Sequence, residues 1–158
     1  QKEIKKQGIE IEEMKNMGYG SLVDALYKKV SRPNIVGPVF LYNYPVELQP
    51  LARRSDEDKT KVEQFQLLIN GWEIVKAYSE LVDPKDQAER FKEQAEAAKK
   101  GDAEAQAGDD DYILAMEYGM PPISGWGLGV ERLLTLLTGQ TNLRDVVLFP
   151  LMRPQERE

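Results

Sequence analysis

The chain has 158 residues, with 21 Lys and Arg against 27 Asp and Glu, a net charge of −6, and neither histidine nor cysteine. That length suits one domain of ordinary size, and the two missing residue types exclude imidazole bases, His metal sites, thiol nucleophiles, zinc–thiolate clusters and disulfides. Chemistry in this chain falls to carboxylates, Lys, Arg, hydroxyls and backbone.

A hydrophobic fraction of 41% with 30% charged residues fits a globular protein with a core, and no apolar run is long enough for a membrane span or a signal peptide. A chain without Cys is compatible with the cytosol, and a first residue of Gln rather than Met suggests a processed chain or a piece of something longer. Residues 1–60 carry 10 basic and 9 acidic side chains, residues 61–120 carry 7 and 14, and residues 121–158 carry 4 and 4. The acidic surplus is therefore confined to the middle. It argues against a phosphate-backbone surface and fits a cationic ligand, a divalent metal or a solvated face.

The first segment, Gln1–Asn16, is polar and mixed in charge, with Lys5, Lys6, Glu12 and Glu13 prominent, and reads as a frayed helix or part of an upstream element. Ser21 is placed as an N-cap to a short amphipathic helix in which Leu22, Leu26 and Val30 recur every four residues, stopped near Pro33. Val39–Tyr42 is a strand bounded by Pro38 and Pro45, followed by a long irregular connection through Pro50-Leu51-Ala52-Arg53-Arg54. Val62–Ile69 and Trp72–Leu81 flank Asn70-Gly71, the preferred two-residue turn of an antiparallel hairpin. Asp83-Pro84 ends the hairpin and Lys85–Lys100 is a polar helix. Residues 101–108 form a small insertion expected to be mobile. Asp109-Asp110-Asp111 cap a helix through Tyr118, where their charge complements the helix dipole. Ile123–Val130 is a glycine-alternating strand, Glu131–Thr138 a helix, and Val146–Phe149 a last apolar stretch. The predicted fold class is α+β, an antiparallel sheet flanked by helices.

Counting back from the turn, Gln64, Gln66, Leu68, Glu73, Val75 and Ala77 share one face of the hairpin, and Phe65, Leu67, Ile69, Trp72, Ile74, Lys76, Tyr78 and Glu80 the other. Gln66 and Glu73 become diagonal neighbours on a polar face, which suits either a metal or phosphate site or plain solvation. Glu80 falls among large apolar side chains, where an unpaired carboxylate is costly. Either a bulge between Ile74 and Glu80 re-aims it, or it meets a cation, with Lys76 an internal candidate. The sharpest motif is Gly125-Trp126-Gly127-Leu128-Gly129-Val130-Glu131-Arg132, spaced G-x-G-x-G-x-x-R, which is neither the dinucleotide fingerprint nor the Walker loop. Glycines at period two strip one strand face to a flat backbone floor for a planar ring, over which Arg132 folds to sandwich the ring and neutralise a phosphate. Close helix–strand packing is the other use of such glycines.

Gly125–Arg132, continued by Leu133–Gln140 and by Val147-Leu148-Phe149-Pro150-Leu151-Met152-Arg153-Pro154, resembles the third signature motif of class II aminoacyl-tRNA synthetases in the class IIb form. Glu73-Ile74, Tyr78-Ser79-Glu80-Leu81, Asp86-Gln87-Ala88-Glu89-Arg90-Phe91, and Pro45-Val46-Glu47 with Pro50–Arg54 are similar to the lysyl branch. The resemblance runs from about Gly18 onward and implies the C-terminal part of the catalytic domain, with motifs 1 and 2 and the anticodon-reading OB domain absent. It implies ATP-dependent activation of L-lysine to an adenylate and transfer to tRNA(Lys), in a cytoplasmic enzyme that is a homodimer at full length, with this piece inactive alone.

Carried over by position, the resemblance makes Arg132 the residue that stacks on adenine and meets the phosphates of ATP, over a floor of Gly127 and Gly129. Glu73, together with position 66, would hold Mg²⁺; Glu80 would accept the ε-ammonium of lysine, and Tyr78 would line its stem beside Lys76. Two positions depart from the family pattern. Gln66 stands where a second acidic metal ligand is common, and Val75-Lys76-Ala77 where an Asn flanked by glycines is common. These two leave open a non-catalytic nucleotide- or partner-binding module, and a paralogue that attaches lysine to a protein is a third reading.

Overall fold

The Asn70-Gly71 dipeptide forms the turn around which the sheet is organised. Both residues have positive φ, 51° and 72°, as the tight hairpin turn matching the right-handed twist of strands requires. It joins β2 (Gln64–Ile69) to β3 (Trp72–Ser79). β1 (Val39–Tyr42) pairs with β2 and β4 (Ser124–Leu128) with β3, giving an antiparallel sheet in the order β1-β2-β3-β4. The fold is the expected α+β type. This computed structural model describes residues 1–12, 14–102, 105 and 108–152. Glu13, four residues of the 101–108 insertion, and Arg153-Pro154 of the C-terminal motif lie outside the described residues.

Among the described residues five α-helices accompany the sheet: α1 (Lys2–Lys6), α2 (Tyr19–Val30), α3 (Pro84–Lys99), α4 (Asp110–Glu117) and α5 (Val130–Leu137). Ser21 does not cap α2 as expected. The cap residue is Gly18, and its amide and the Ser21 hydroxyl both donate to Asp102, at 3.0 and 2.7 Å. An acceptor from 84 residues downstream thus ties down the N-cap amide and the hydroxyl of Ser21, which lies within the first turn of the helix. At α4 the cap is the expected one, Asp109 accepting from the amide of Tyr112, and at α3 the cap is Asp83, which accepts from the amides of Lys85 and Asp86.

Helix α3 is less solvated than its composition suggests. Gln87, Arg90 and Phe91 are buried on one side of it. Gln87 donates to the carbonyl of Pro50 at 3.0 Å, and Arg90 to that of Ala52 at 2.6 Å and to both oxygens of Asp86 at 3.0 and 2.8 Å. These contacts clasp the irregular connection after β1, which itself runs beside the end of β3 through Arg53 N–H to Ser79 (2.8 Å) and Leu81 N–H to Leu51 (2.9 Å). The core there is Tyr44, Ala52 and Val62, with Leu41, Val46, Leu48 and Tyr78 packed against it. On the far side of the sheet Phe40 and Phe65 meet edge-on at 5.6 Å, and Trp126 is largely exposed. After α5, Leu143–Val146 makes a 3-10 turn, and in the apolar stretch that follows Leu148 and Phe149 are exposed.

Candidate active site

Pairing near the turn follows the sequence reading, Ile69 opposite Trp72 and Leu68 opposite Glu73, but Leu67 then lies opposite Val75. Ile74 is an extra residue on β3, a β-bulge. One extra residue inverts the alternation beyond it, so Gln66 pairs with Lys76 and Gln64 with Tyr78 instead of with apolar partners. The expected faces are corrected accordingly: Lys76 and Tyr78 leave the aromatic face and join Gln66 and Glu73. The bulge forms although Val75 and Ala77 stand where the family commonly has glycine. Its peptide is held from the far side, because the Gly129 amide donates to the Ile74 carbonyl at 2.9 Å.

Across β3 the same face continues onto β4, where Lys76 lies opposite Gly127 and Tyr78 opposite Gly125. No atom lies within 4 Å of where a Gly127 side chain would begin, so the floor at this point is bare backbone facing open space. A Cβ on Gly125 would sit 3.0 Å from Glu80 Oε1, so a side chain there would oblige the Glu80 carboxylate to give by a few tenths of an ångström. These residues line a cleft of about 560 Å³ whose walls include Glu73, Lys76, Tyr78, Glu80, Gly127 and Arg132. All of the residues expected from the sequence are brought to it, with Gln66 just behind Glu73.

At one end of the cleft Arg132, in the first turn of α5, donates through Nη1 to the backbone carbonyl of Glu73 at 2.7 Å. The Glu73 carboxylate accepts from Gln66 Nε2 at 2.6 Å, and the Gln66 carbonyl accepts from the Tyr44 hydroxyl. Tyr44 is buried, and burial, followed by the charge and dipole of neighbours beginning with Tyr27 and Glu73, pushes its phenol well above the ordinary value. It remains a donor throughout the physiological pH range.

The other end is occupied by Glu80. Its amide donates to Ile123 at 3.0 Å and the residue bridges to Ala52, so backbone on both sides fixes it. Among the described residues no basic group lies within 4.0 Å of its carboxylate, and burial pushes the carboxyl up from its ordinary value. Lys76 does not neutralise it. Its ammonium lies over the Tyr78 ring, 5.8 Å from the centroid. Tyr78 and Tyr112 both have phenols raised by burial and then by the Glu80 charge. Tyr112, on α4, and Tyr44 were not visible as site residues in the sequence, since each reaches the site only by packing between distant elements.

Magnesium can be tested against this donor set. It is held by one or two carboxylates together with substrate phosphates and water, and Glu73 offers such a carboxylate beside Arg132. Among the described residues no group of three His, Cys, Asp or Glu side chains is arranged to hold a metal by itself. The site fits an ion brought with a polyphosphate rather than a resident one.

An antiparallel sheet, a glycine floor closed by a first-turn arginine, and a carboxylate at each end make up the cleft. The chain belongs to the class II tRNA synthetases (D, K and N), whose family profile matches residues 2–153 and so extends the likeness upstream of Gly18. Among curated relatives, the lysine–tRNA ligase of Carboxydothermus hydrogenoformans is 48% identical over 96% of this chain and that of Pelotomaculum thermopropionicum 46% over 98%. The lysine–tRNA ligase of Porphyromonas gingivalis is 45% identical over 92%. The chain spans 31%, 31% and 25% of the lengths of these three relatives.

Proposed function

We propose that the full-length protein activates L-lysine with ATP to an enzyme-bound lysyl-adenylate and transfers the lysyl group to tRNA(Lys). The observation that supports it is the polarity of the cleft, with a flat floor and Arg132 at one end and an unpaired, partly desolvated carboxylate at the other. A planar base and its phosphates match the first end. An alkylammonium matches the second, with Tyr78 against its methylenes and Tyr112 nearby. The relatives named above are lysine–tRNA ligases, which supports lysine as the amino acid.

In this reading the lysine carboxylate attacks the α-phosphate, an oxygen–phosphorus bond forms, and pyrophosphate leaves in line. The tRNA 3′-terminal hydroxyl then attacks the activated carbonyl and AMP leaves. Neither step needs an imidazole or a thiol, because positioning and charge stabilisation carry them, and this chain has no His or Cys. Arg132 stacks on adenine and meets phosphate over Gly127 and Gly129, and Glu73 would hold Mg²⁺, which when bound would neutralise phosphate charge. Glu80 takes the ε-ammonium. A cytoplasmic homodimer, with motifs 1 and 2 and the anticodon domain supplied by the rest of the full-length protein, completes the proposal.

The test is ATP–pyrophosphate exchange by the full-length protein with each amino acid in turn. Exchange is expected with lysine alone, and Arg132→Ala should abolish it. No exchange with any amino acid would refute the proposal in favour of a binding module. Exchange with lysine without charging of tRNA(Lys) would favour lysylation of a protein.

A further inference from the structure

The hydrogen bonds of Gln66 fix which end of its amide faces the cleft. A carboxylate only accepts, so the neighbour at 2.6 Å from Glu73 is the amide nitrogen, and the amide oxygen is turned back to the Tyr44 hydroxyl. Tyr44 is 7% exposed and Gln66 9%, so neither partner is readily exchanged for water. The one atom of Gln66 able to ligate a metal is already used, and N–H hydrogens point where a cation shared with Glu73 would sit. Lys76 lies directly across the strand pair from Gln66, at the spacing of about 4.5–5.5 Å between Cβ atoms that adjoining strands impose. Its ammonium makes no ion pair among the described residues and lies against the Tyr78 ring. A neutral amide and a cation outside any ion pair among the described residues therefore share the row in which a second carboxylate would attract a second ion.

We infer that this cleft admits one divalent cation per bound nucleotide, held by Glu73 and the phosphates, and that Lys76 supplies the positive charge a second ion would bring. Gln66 is then a positioning residue: with Tyr44 it braces Glu73, and it binds no metal. The inference builds on the nucleotide reading of the cleft.

It is tested on the full-length protein with Mn²⁺ and a non-hydrolysable ATP analogue, counting bound Mn²⁺ by loss of the free-ion electron paramagnetic resonance signal and bound nucleotide by equilibrium dialysis. One Mn²⁺ per nucleotide is expected, rising to two in the double variant Gln66→Glu, Lys76→Asn. Two per nucleotide in the unaltered protein overturns the inference, and so does one in a folded double variant. Lys76→Asn alone leaves the Tyr44–Gln66–Glu73 chain intact. It should weaken analogue binding by about tenfold when Mn²⁺ is limiting, the loss of one charge-assisted contact, and unchanged affinity overturns the role of Lys76. Nucleotide bound with the wrong metal count refutes this inference only, whereas no nucleotide bound in any condition refutes the reading of the cleft as well.

Discussion

Replacing Arg90 with Met tests whether the cleft depends on a buried brace that touches no ligand. Arg90 is 3% exposed, and its guanidinium bonds both oxygens of Asp86 and the carbonyl of Ala52. Methionine fills similar volume, so the loss is mainly polar. The Ala52 carbonyl is left without its partner in a residue 1% exposed, a penalty of about 1–3 kcal/mol. Breaking a fully buried pair costs about 3–5 kcal/mol. Asp86 keeps Arg54 at 3.4 Å and its side chain is 25% exposed, so its share falls below that range and about 3 kcal/mol in total is expected. Burial pushes the Asp86 carboxyl up, but hydrogen bonding and charge from Arg90, then Arg54, outweigh it and hold the carboxyl below its usual value. A carboxyl lowered by folding contributes stability above its unfolded pKa of about 3.9 and loses that stability as pH falls through the folded value. The gap between wild type and Arg90→Met should therefore be full at pH 7 and narrow below about pH 4. Urea unfolding followed by the fluorescence of Trp72 and Trp126 measures both. A loss under about 1 kcal/mol at pH 7, or a gap constant down to strong acid, would refute the reasoning.

Three further outcomes follow from the site. Glu80→Gln should raise the melting temperature at pH 8 and leave it unchanged at pH 4: a carboxyl raised by folding favours the folded state while protonated and loses that advantage as pH rises through its folded pKa. The same variant should lower kcat/KM for lysine in exchange by about 100-fold, and a retained value would mean that Glu80 does not meet the ammonium. Tyr44→Phe leaves the buried Gln66 oxygen unpaired and should cost about 1–3 kcal/mol in urea unfolding, with a rise in KM for ATP as Glu73 loosens; an unaltered KM would show that the chain through Gln66 does not position Glu73. Gly127→Val has open space for its side chain and should fold with a stability change within about 0.5 kcal/mol, yet fill the floor and weaken ATP binding by at least about tenfold, measured by equilibrium dialysis.

What the sequence disclosed and what it hid divide along one line, local against distant. Asn70-Gly71 specifies a turn by its own backbone preference, and pairing beside it follows by counting, so the hairpin was legible. The Ile74 bulge was legible only as one of two alternatives, a bulge between Ile74 and Glu80 or a cation beside Glu80. Nothing in Glu73-Ile74-Val75-Lys76 favours an irregular conformation, and the contact that anchors it comes from Gly129. Its trace was indirect, since strict alternation stranded Glu80 among aromatic side chains, and a carboxylate so placed is more expensive than a kink in a strand. Helix α3 was read as polar because Gln87 and Arg90 count as polar in any composition, whereas their donors serve carbonyls of Pro50 and Ala52. Tyr112 and Asp102 escaped for the same reason. Arg132 and the glycine floor, by contrast, lie within eight residues of one another, and their geometry is written in their spacing.

The bulge also explains how one strand carries a site with opposite requirements at its two ends. In the proposed site the carboxylate that would meet Mg²⁺ and phosphates has to be braced, and Glu73 has the Gln66 amide for that purpose. A carboxylate that selects an ammonium gains most when nothing in the protein neutralises it, because a satisfied Glu80 would have to be released before the ligand could bind. Regular alternation allows Glu73 and Glu80, seven positions apart, to occupy only opposite faces of the strand. One extra residue at Ile74 brings both to the cleft and carries Lys76 and Tyr78 with them. Lys76 could then have closed an internal salt bridge with Glu80 and blocked the ammonium site. Instead the Tyr78 ring takes the Lys76 cation, through a contact worth about 0.5–1 kcal/mol at a partly exposed position. In the proposed function that is weak enough for Lys76 to turn toward an incoming phosphate, while among the described residues Glu80 has no basic partner.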